Sequence, residues 1–187
     1  PAGLGNGPVN AGLIGGAACA AGCTTQSGYT GTTDRITAIS LSSGLDGSGF
    51  NFGETIIGLI SGTVYVDRNR NNALDGLPTD GRLGGVTINL YAGAGCAGPV
   101  LASTSTDTNG NYYFPNRLAG QTFTVCESQP AGYGDGATHP GTDASSPGVN
   151  TITITNLAPG GSFNNNFGEV GASLAGYVYL DANNDGL

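Results

Sequence analysis

Oxygen-bearing side chains recur at every second residue in two stretches of this chain: Asp67, Asn69 and Asn71, then Asp181, Asn183 and Asp185. The spacing suits a hard cation. Calcium takes about six to eight oxygen ligands, and a loop with Asp, Asn and Asn/Asp at its first, third and fifth positions wraps them around one point. In the first stretch Ala73, at position seven, can offer only its carbonyl, and Asp75 stands at position nine. Pro78 holds position twelve and cannot ligate, so Asp80 is the expected closing acid. Gly186 occupies position six of the second stretch, where the chain must turn sharply; Asn72 takes that place in the first, and asparagine is the next most tolerant residue of a left-handed backbone. The alternative is a metal-free turn, because Asn and Asp also close loops by bonding their own backbone. Recurrence of the spacing after the same strand pattern favours calcium.

Four cysteines form the other chemically capable set. They allow three pairings. The arrangement favours Cys19 with Cys23 and Cys96 with Cys126 over a zinc tetrathiolate, which would need the two pairs to meet across the chain. Disulfides imply an oxidising compartment. Catalysis has little to stand on. His139 is the single histidine, in a Pro/Gly/Asp-rich loop without a nucleophile beside it in sequence, and no enzyme is expected. Asp107, Asp135 and Asp143 read as solvated turn residues, and Tyr29 and Tyr133 as the candidate platforms for a glycan in a chain without tryptophan. Net charge is −8, with arginine as the only strongly basic residue type. No basic patch exists to neutralise nucleic-acid phosphates or to dock on an anionic membrane. The longest apolar run, residues 56–66, is too short to span a bilayer and is broken by glycines and Ser61.

The elements that must position these residues come in repeats. Ser61-Gly-Thr-Val-Tyr-Val-Asp67 returns as Ala175-Gly-Tyr-Val-Tyr-Leu-Asp181, a short alternating strand with Val64 and Val66 on one face and Tyr65 on the other. Pro1-Ala-Gly-Leu-Gly-Asn-Gly7 matches Pro130-Ala-Gly-Tyr-Gly-Asp-Gly136, Asp34 to Leu41 matches Asn150 to Leu157, and Phe50-Asn-Phe-Gly-Glu54 matches Asn165-Asn-Phe-Gly-Glu169. Residues 1–57 thus read as the C-terminal part of one repeat, 58–170 as a complete repeat and 171–187 as the start of the next. Within the complete copy, Val86 to Tyr91 alternates with Val86, Ile88 and Leu90 inward, and Thr122 to Glu127 with Phe123 and Val125 inward. The latter leaves Cys126 on the outside of its sheet. Asn109-Gly110 signals a hairpin between residues 100–106 and 112–114. Residues 8–33 and 128–149 read as long loops, and Thr151 to Thr155 and Ser162 to Phe167 as strands. Seven short strands without an amphipathic helix imply an all-β antiparallel sandwich. The chain opens on Pro1 without a signal peptide, which fits a segment beginning inside a longer precursor.

Ser61-Gly-x-Val-Tyr-x-Asp-x-Asn, Gly85-Val-Thr-Ile-x-Leu, Thr106-Asp-x-Asn-Gly-Asn-Tyr-x-Phe114, Phe123-Thr-Val-x-Glu-x-x-Pro-Ala-Gly-Tyr133 and Asn166-Phe-Gly-Glu169 together resemble the SdrD B-like repeat. The resemblance implies tandem immunoglobulin-like or prealbumin-like β-sandwiches on bacterial surface proteins, stiffened by calcium. It carries Asp67, Asn69, Asn71, Asp75 and Asp80 over as ligands. The related Cna B-type pilin domains lock themselves with an isopeptide bond from a lysine, promoted by a glutamate placed much like Glu127. Without a lysine this chain has no amine for that bond, which leaves Glu127 a structural or hydrogen-bonding role.

The expected function is a structural segment of an extracellular tandem-repeat stalk or filament, at a cell surface or secreted, stiffened by calcium and disulfides. Its partners would be neighbouring repeats of the same polypeptide or filament. The alternative is an adhesin module whose long loops, 8–33 above all, bind a host, matrix or glycan ligand.

Overall fold

A computed structural model describes residues 4–18, 24–26, 35–172, 180 and 182. Strand β1 (Leu4–Ile14) is followed by the short β2 (Ala17–Ala18), β3 (Thr24–Gln26) and β4 (Arg35–Thr37). Then comes β5 (Gly47–Val66), a single strand of 20 residues. The remainder runs β6 (Gly81–Arg82), β7 (Thr87–Ala92), β8 (Ala102–Ser105), β9 (Asn111–Leu118), β10 (Phe123–Glu127), β11 (Tyr133–His139), β12 (Ala144–Gly148), β13 (Thr151–Ile154), β14 (Gly160–Ser162) and β15 (Asn166–Gly171). The described residues contain strands and no helix.

Two sheets face each other. One runs β11-β15-β5-β1-β2, with β6, β9 and β14 also paired to β5; the other runs β12-β13-β10-β7-β8. Alternation supplies the core between them. Ile60, Val64, Tyr112, Phe114 and Phe167 point in from the first sheet, and Ile88, Leu90, Phe123, Val125, Ile152 and Ile154 from the second. The all-β sandwich read from the sequence is the observed fold.

β5 belongs to two sets of strand pairings at once. Its first half pairs antiparallel with β1; its second half pairs antiparallel with β9 and parallel with β14 and β15. No residue between Glu54 and Ile60 is left unpaired: Glu54 faces Asn6, Thr55 Gly5, Ile56 Leu4, Ile57 Leu118, Gly58 Arg117, Leu59 Gly161 and Ile60 Phe114. The β1–β5 and β11–β15 registers coincide. Leu4, Gly5 and Asn6 oppose Ile56, Thr55 and Glu54 as Tyr133, Gly134 and Asp135 oppose Gly171, Val170 and Glu169, and both ladders break before the third residue beyond, at Val9 and Thr138.

Several expectations are corrected. Residues 128–149 are not one loop; β11 and β12 lie within them. Tyr133-Gly-Asp-Gly-Ala-Thr-His lacks alternation and holds strand geometry because β15 supplies its hydrogen bonds, a tertiary effect that overrides weak local preference. The 8–33 stretch likewise opens in strand, since β1 runs to Ile14. The single strand expected over 162–167 is instead β14 and β15, divided where Asn164 turns left-handed at φ 61°. Asn109-Gly110 makes no hairpin: β8 pairs with β7 and β9 with β5, so the turn is a corner between the two sheets. Asp107 builds it, its carboxylate accepting from the Asn109 and Asn111 amides and its carbonyl from the Gly110 amide.

Candidate metal centre and a buried acid pair

The acidic loop starts where β5 ends. Its first residue is anchored to the last strand, because the Asp67 amide donates to Glu169 O at 2.8 Å. Asp67 and Asp80 are 2 % and 0 % exposed, although the loop between them lies largely in solvent. Each of the four buried carboxylate oxygens is held by one backbone N–H. Asn71 and Asn72 donate to Asp67 at 3.2 and 2.8 Å; Arg68 and Asp75 donate to Asp80 at 3.2 and 2.7 Å. Asn69 and Asn71 both reach Asp75 Oδ2 through their side-chain amides, at 2.9 and 2.8 Å, while their own Oδ1 atoms accept from the Asn71 and Ala73 amides. Asn72 takes the left-handed conformation its position requires, φ 59°, and Arg70 does so as well.

The structure therefore brings Asp67, Asn69, Asn71, Ala73, Asp75 and Asp80 into one network. Among the described residues no three of His, Cys, Asp and Glu converge as a ligand set, and the closure runs through asparagine amides. The donor set still fits a hard cation. A carboxylate oxygen accepting one N–H keeps a second lone pair, and an asparagine meets a cation by turning its oxygen where its nitrogen now points. The second stretch, Asp181, Asn183 and Asp185, lies outside the described residues, as do Cys19, Cys23 and Tyr29.

Beneath the loop, Tyr65 is fully buried on the outer face of β5. Its ring lies across Gly168, where a Cβ would come 2.8 Å from its hydroxyl, toward His139, with ring centroids 6.3 Å apart. Burial, and next the charges of Asp67, Asp80 and Asp75, push its phenol up to about 12. Neither the Tyr65 hydroxyl nor His139 Nε2 has a hydrogen-bond partner among the described residues.

A feature that the sequence pattern alone did not bring out is a buried acid pair. Glu127, ending β10, is 8 % exposed and Glu169, in β15, 0 %. They meet across the sandwich within hydrogen-bonding reach of each other. Burial raises both carboxyl groups above the ordinary range; the negative Glu169 raises Glu127 further, and Asp135 adds to both. Gln129 opposes the effect on Glu169 by donating to its Oε2 at 2.5 Å. Asn150 holds Gln129 Oε1 and Asp135 Oδ1, each at 2.8 Å. The signal was present in the alternation: inward Phe123 and Val125 are followed two residues on by Glu127, and Phe167 by Glu169.

Cys96 and Cys126 are joined, with Cα atoms 6.0 Å apart. Cys126 is buried on the outer face of β10 beneath the glycine-rich bend after β7, while Cys96, in that bend, is exposed. Thr124, fully buried, donates to Gly93 O at 2.8 Å and accepts from the Gly95 amide at 2.9 Å. Every residue of β10 is buried as a result. Of the remaining polar candidates, Tyr133 lies in β11, Asp143 accepts from Ser162 at 2.7 Å and Asp135 belongs to the acid-pair network.

Among solved structures, the shaft pilin SpaA of Lactobacillus rhamnosus GG, determined as a point mutant, is 14 % identical over 63 % of this chain and 52 % of its own, with a TM-score of 0.41. The full-length major pilin SpaD of Corynebacterium diphtheriae is 12 % identical over 93 % of this chain and 55 % of its own, with a TM-score of 0.42. The chain thus spans about half the length of the solved proteins it matches. No curated protein matches the sequence. The family model of the SdrD B-like domain matches residues 58–167, more than half of the chain and the whole sandwich from the second half of β5 into β15, so this protein belongs to the SdrD B-like domain family.

Proposed function

We propose that the chain is a structural segment of an extracellular bacterial stalk or filament, in which successive repeats are held at fixed angles and calcium in each acidic loop stiffens the junction beside it. The observation that carries this reading is β5. A flexible connection between domains needs backbone free of partners, and β5 has a partner at every residue from Glu54 to Ile60. The acidic loop sits where the chain leaves the sandwich, since Arg70 donates to Gly171 O at 3.3 Å and Asp67 to Glu169 O at 2.8 Å. Asp67, Asn69, Asn71, Asp75 and Asp80, with the Ala73 carbonyl, would hold the ion. Bound calcium supplies a positive centre for carboxylates that are otherwise satisfied by N–H groups alone. Asp181, Asn183 and Asp185 would serve the following repeat in the same way.

The test is thermal melting and protease resistance of the full chain with calcium and with chelator. Binding to the native state at about a hundredfold excess over Kd stabilises by roughly 2.7 kcal/mol, a shift of several degrees. Asp67→Ala should abolish the response of this loop, and Asn71→Ala, at an exposed position, should weaken it without disturbing the fold. Indifference of the wild-type chain to chelation would remove calcium from the proposal. A hinge detected between the β1 hairpin and the sandwich by residual dipolar couplings would remove the stalk.

A further inference from the structure

Two of the exposed apolar features among the described residues lie beside strand ends. The first is a groove of about 560 Å³ at the foot of the complete repeat, where Thr55 and Ile56 of β5 meet Leu118, Ala119 and the turn ending at Pro159. It carries no charged side chain, and Ile56 and Leu118 are 51 % and 45 % exposed. The second is the tip of the acidic loop at the opposite end, where Leu77, followed by Pro78, is 68 % exposed.

The shared register connects them. Ile56 opposes Leu4 as Gly171 opposes Tyr133, so position 56 stands to the β1–β5 pair as position 171 stands to the β11–β15 pair. The neighbour of position 171 is the acidic loop, whose Arg70 donates to Gly171 O, with the Asp67 amide on Glu169 O just before it. The corresponding neighbour of Ile56 is the acidic loop of the preceding repeat, and Ile56 lines the groove. We infer that the groove receives the Leu77-Pro78 tip of the acidic loop of the adjacent repeat, so that each repeat is keyed to the next by an apolar plug as well as by the shared strand. This rests on the tandem-stalk reading above. The loop then does two things: it collects oxygen ligands and it presents one leucine, which an ordered loop would hold over the groove.

The shared Phe-Gly-Glu segment allows an in-phase fusion, residues 1–169 of the full chain followed directly by residues 55–187 of a second copy. This rebuilds the observed β5 junction beneath a complete acidic loop. Leu77→Cys in the first copy and Leu118→Cys in the second place thiols on the plug and the groove, at exposed positions that spare the core. Mild oxidation and peptide mapping should recover the 77–118 cross-link in most molecules. A control pairing Leu77→Cys with Val149→Cys, 58 % exposed and outside the groove, should not cross-link. Cross-linking of the groove pair no greater than the control would overturn the inference. X-ray scattering from the same fusion reports on the stalk separately. An extended particle without the cross-link removes the plug and keeps the stalk, whereas a compact particle removes the stalk.

Discussion

Glu127 and Glu169, 8 % and 0 % exposed and within hydrogen-bonding reach of each other, are two acids from which water has been largely withdrawn, and a retained proton turns their repulsion into a hydrogen bond. Asp135 from β11 and the Tyr112 phenol from β9 also face the pair, and neither brings positive charge. Both carboxyl pKa values lie above those of the unfolded chain, so the folded state binds more protons. The pair's stabilising contribution is complete below the ordinary glutamate range and is lost as pH rises through the elevated native values. The slope is about 1.4 kcal/mol per pH unit for each proton taken up on folding. Glu127→Gln supplies the donor permanently and should flatten melting temperature against pH between mildly acidic and alkaline conditions, leaving the variant more stable than wild type at the upper end. Parallel curves would refute the shared proton. At this scale the acidic loop was legible and the acid pair was not, for one reason. Spacing along the chain brings Asp67, Asn69 and Asn71 together, whereas Glu127 and Glu169 meet only because β10 and β15 stack in different sheets.

Strands with a strong apolar period, β7, β10 and β13, lie where the sequence puts them, because burying one face fixes both identity and register. The outer face of β10 could not be read the same way, since its cover comes from the bend that Thr124 and the Cys96–Cys126 bond hold down. β11 and β12 carry no such period and take their conformation from their partners. One glycine in the well-read part of β5 also has a role that alternation does not reveal. A Cβ on Gly62 would overlap the carbonyl oxygen of Asn165 and press on the Tyr112 hydroxyl, which itself donates to that carbonyl at 2.6 Å. Asn165 in turn joins β5 to the turn at Gly141, accepting from the Gly141 amide at 3.0 Å and donating to Ser61 O at 3.2 Å. Gly62→Ala should cost about 3 kcal/mol or more in chemical denaturation, because backbone rather than a movable side chain stands in the way. Gly148→Ala, where a Cβ meets nothing within 4 Å, should be close to neutral.

At the scale of the molecule, the all-β sandwich was legible from motif order, but the course of the chain into it was not. The sequence sets a repeat boundary between residues 57 and 58; the structure runs one strand straight through it, because partners on both sides complete the ladder. That strand enters the sandwich beside the strand that leaves it. Phe167, Gly168 and Glu169 lie parallel to Val64, Tyr65 and Val66, so tension applied to the two ends of the chain pulls β5 and β15 past each other along their lengths. Shear of that kind must break the connecting hydrogen bonds together, where peeling would open them one at a time. Stretching single chains by their ends should therefore extend the sandwich in one abrupt event. Cys96 and Cys126 belong to the other sheet, outside this force path, and close a segment of 30 residues. Reduction should leave the rupture force unchanged and lengthen the released chain by roughly 100 Å, at about 3.4 Å per freed residue. Under load the disulfide then limits how far a ruptured segment extends rather than when it ruptures.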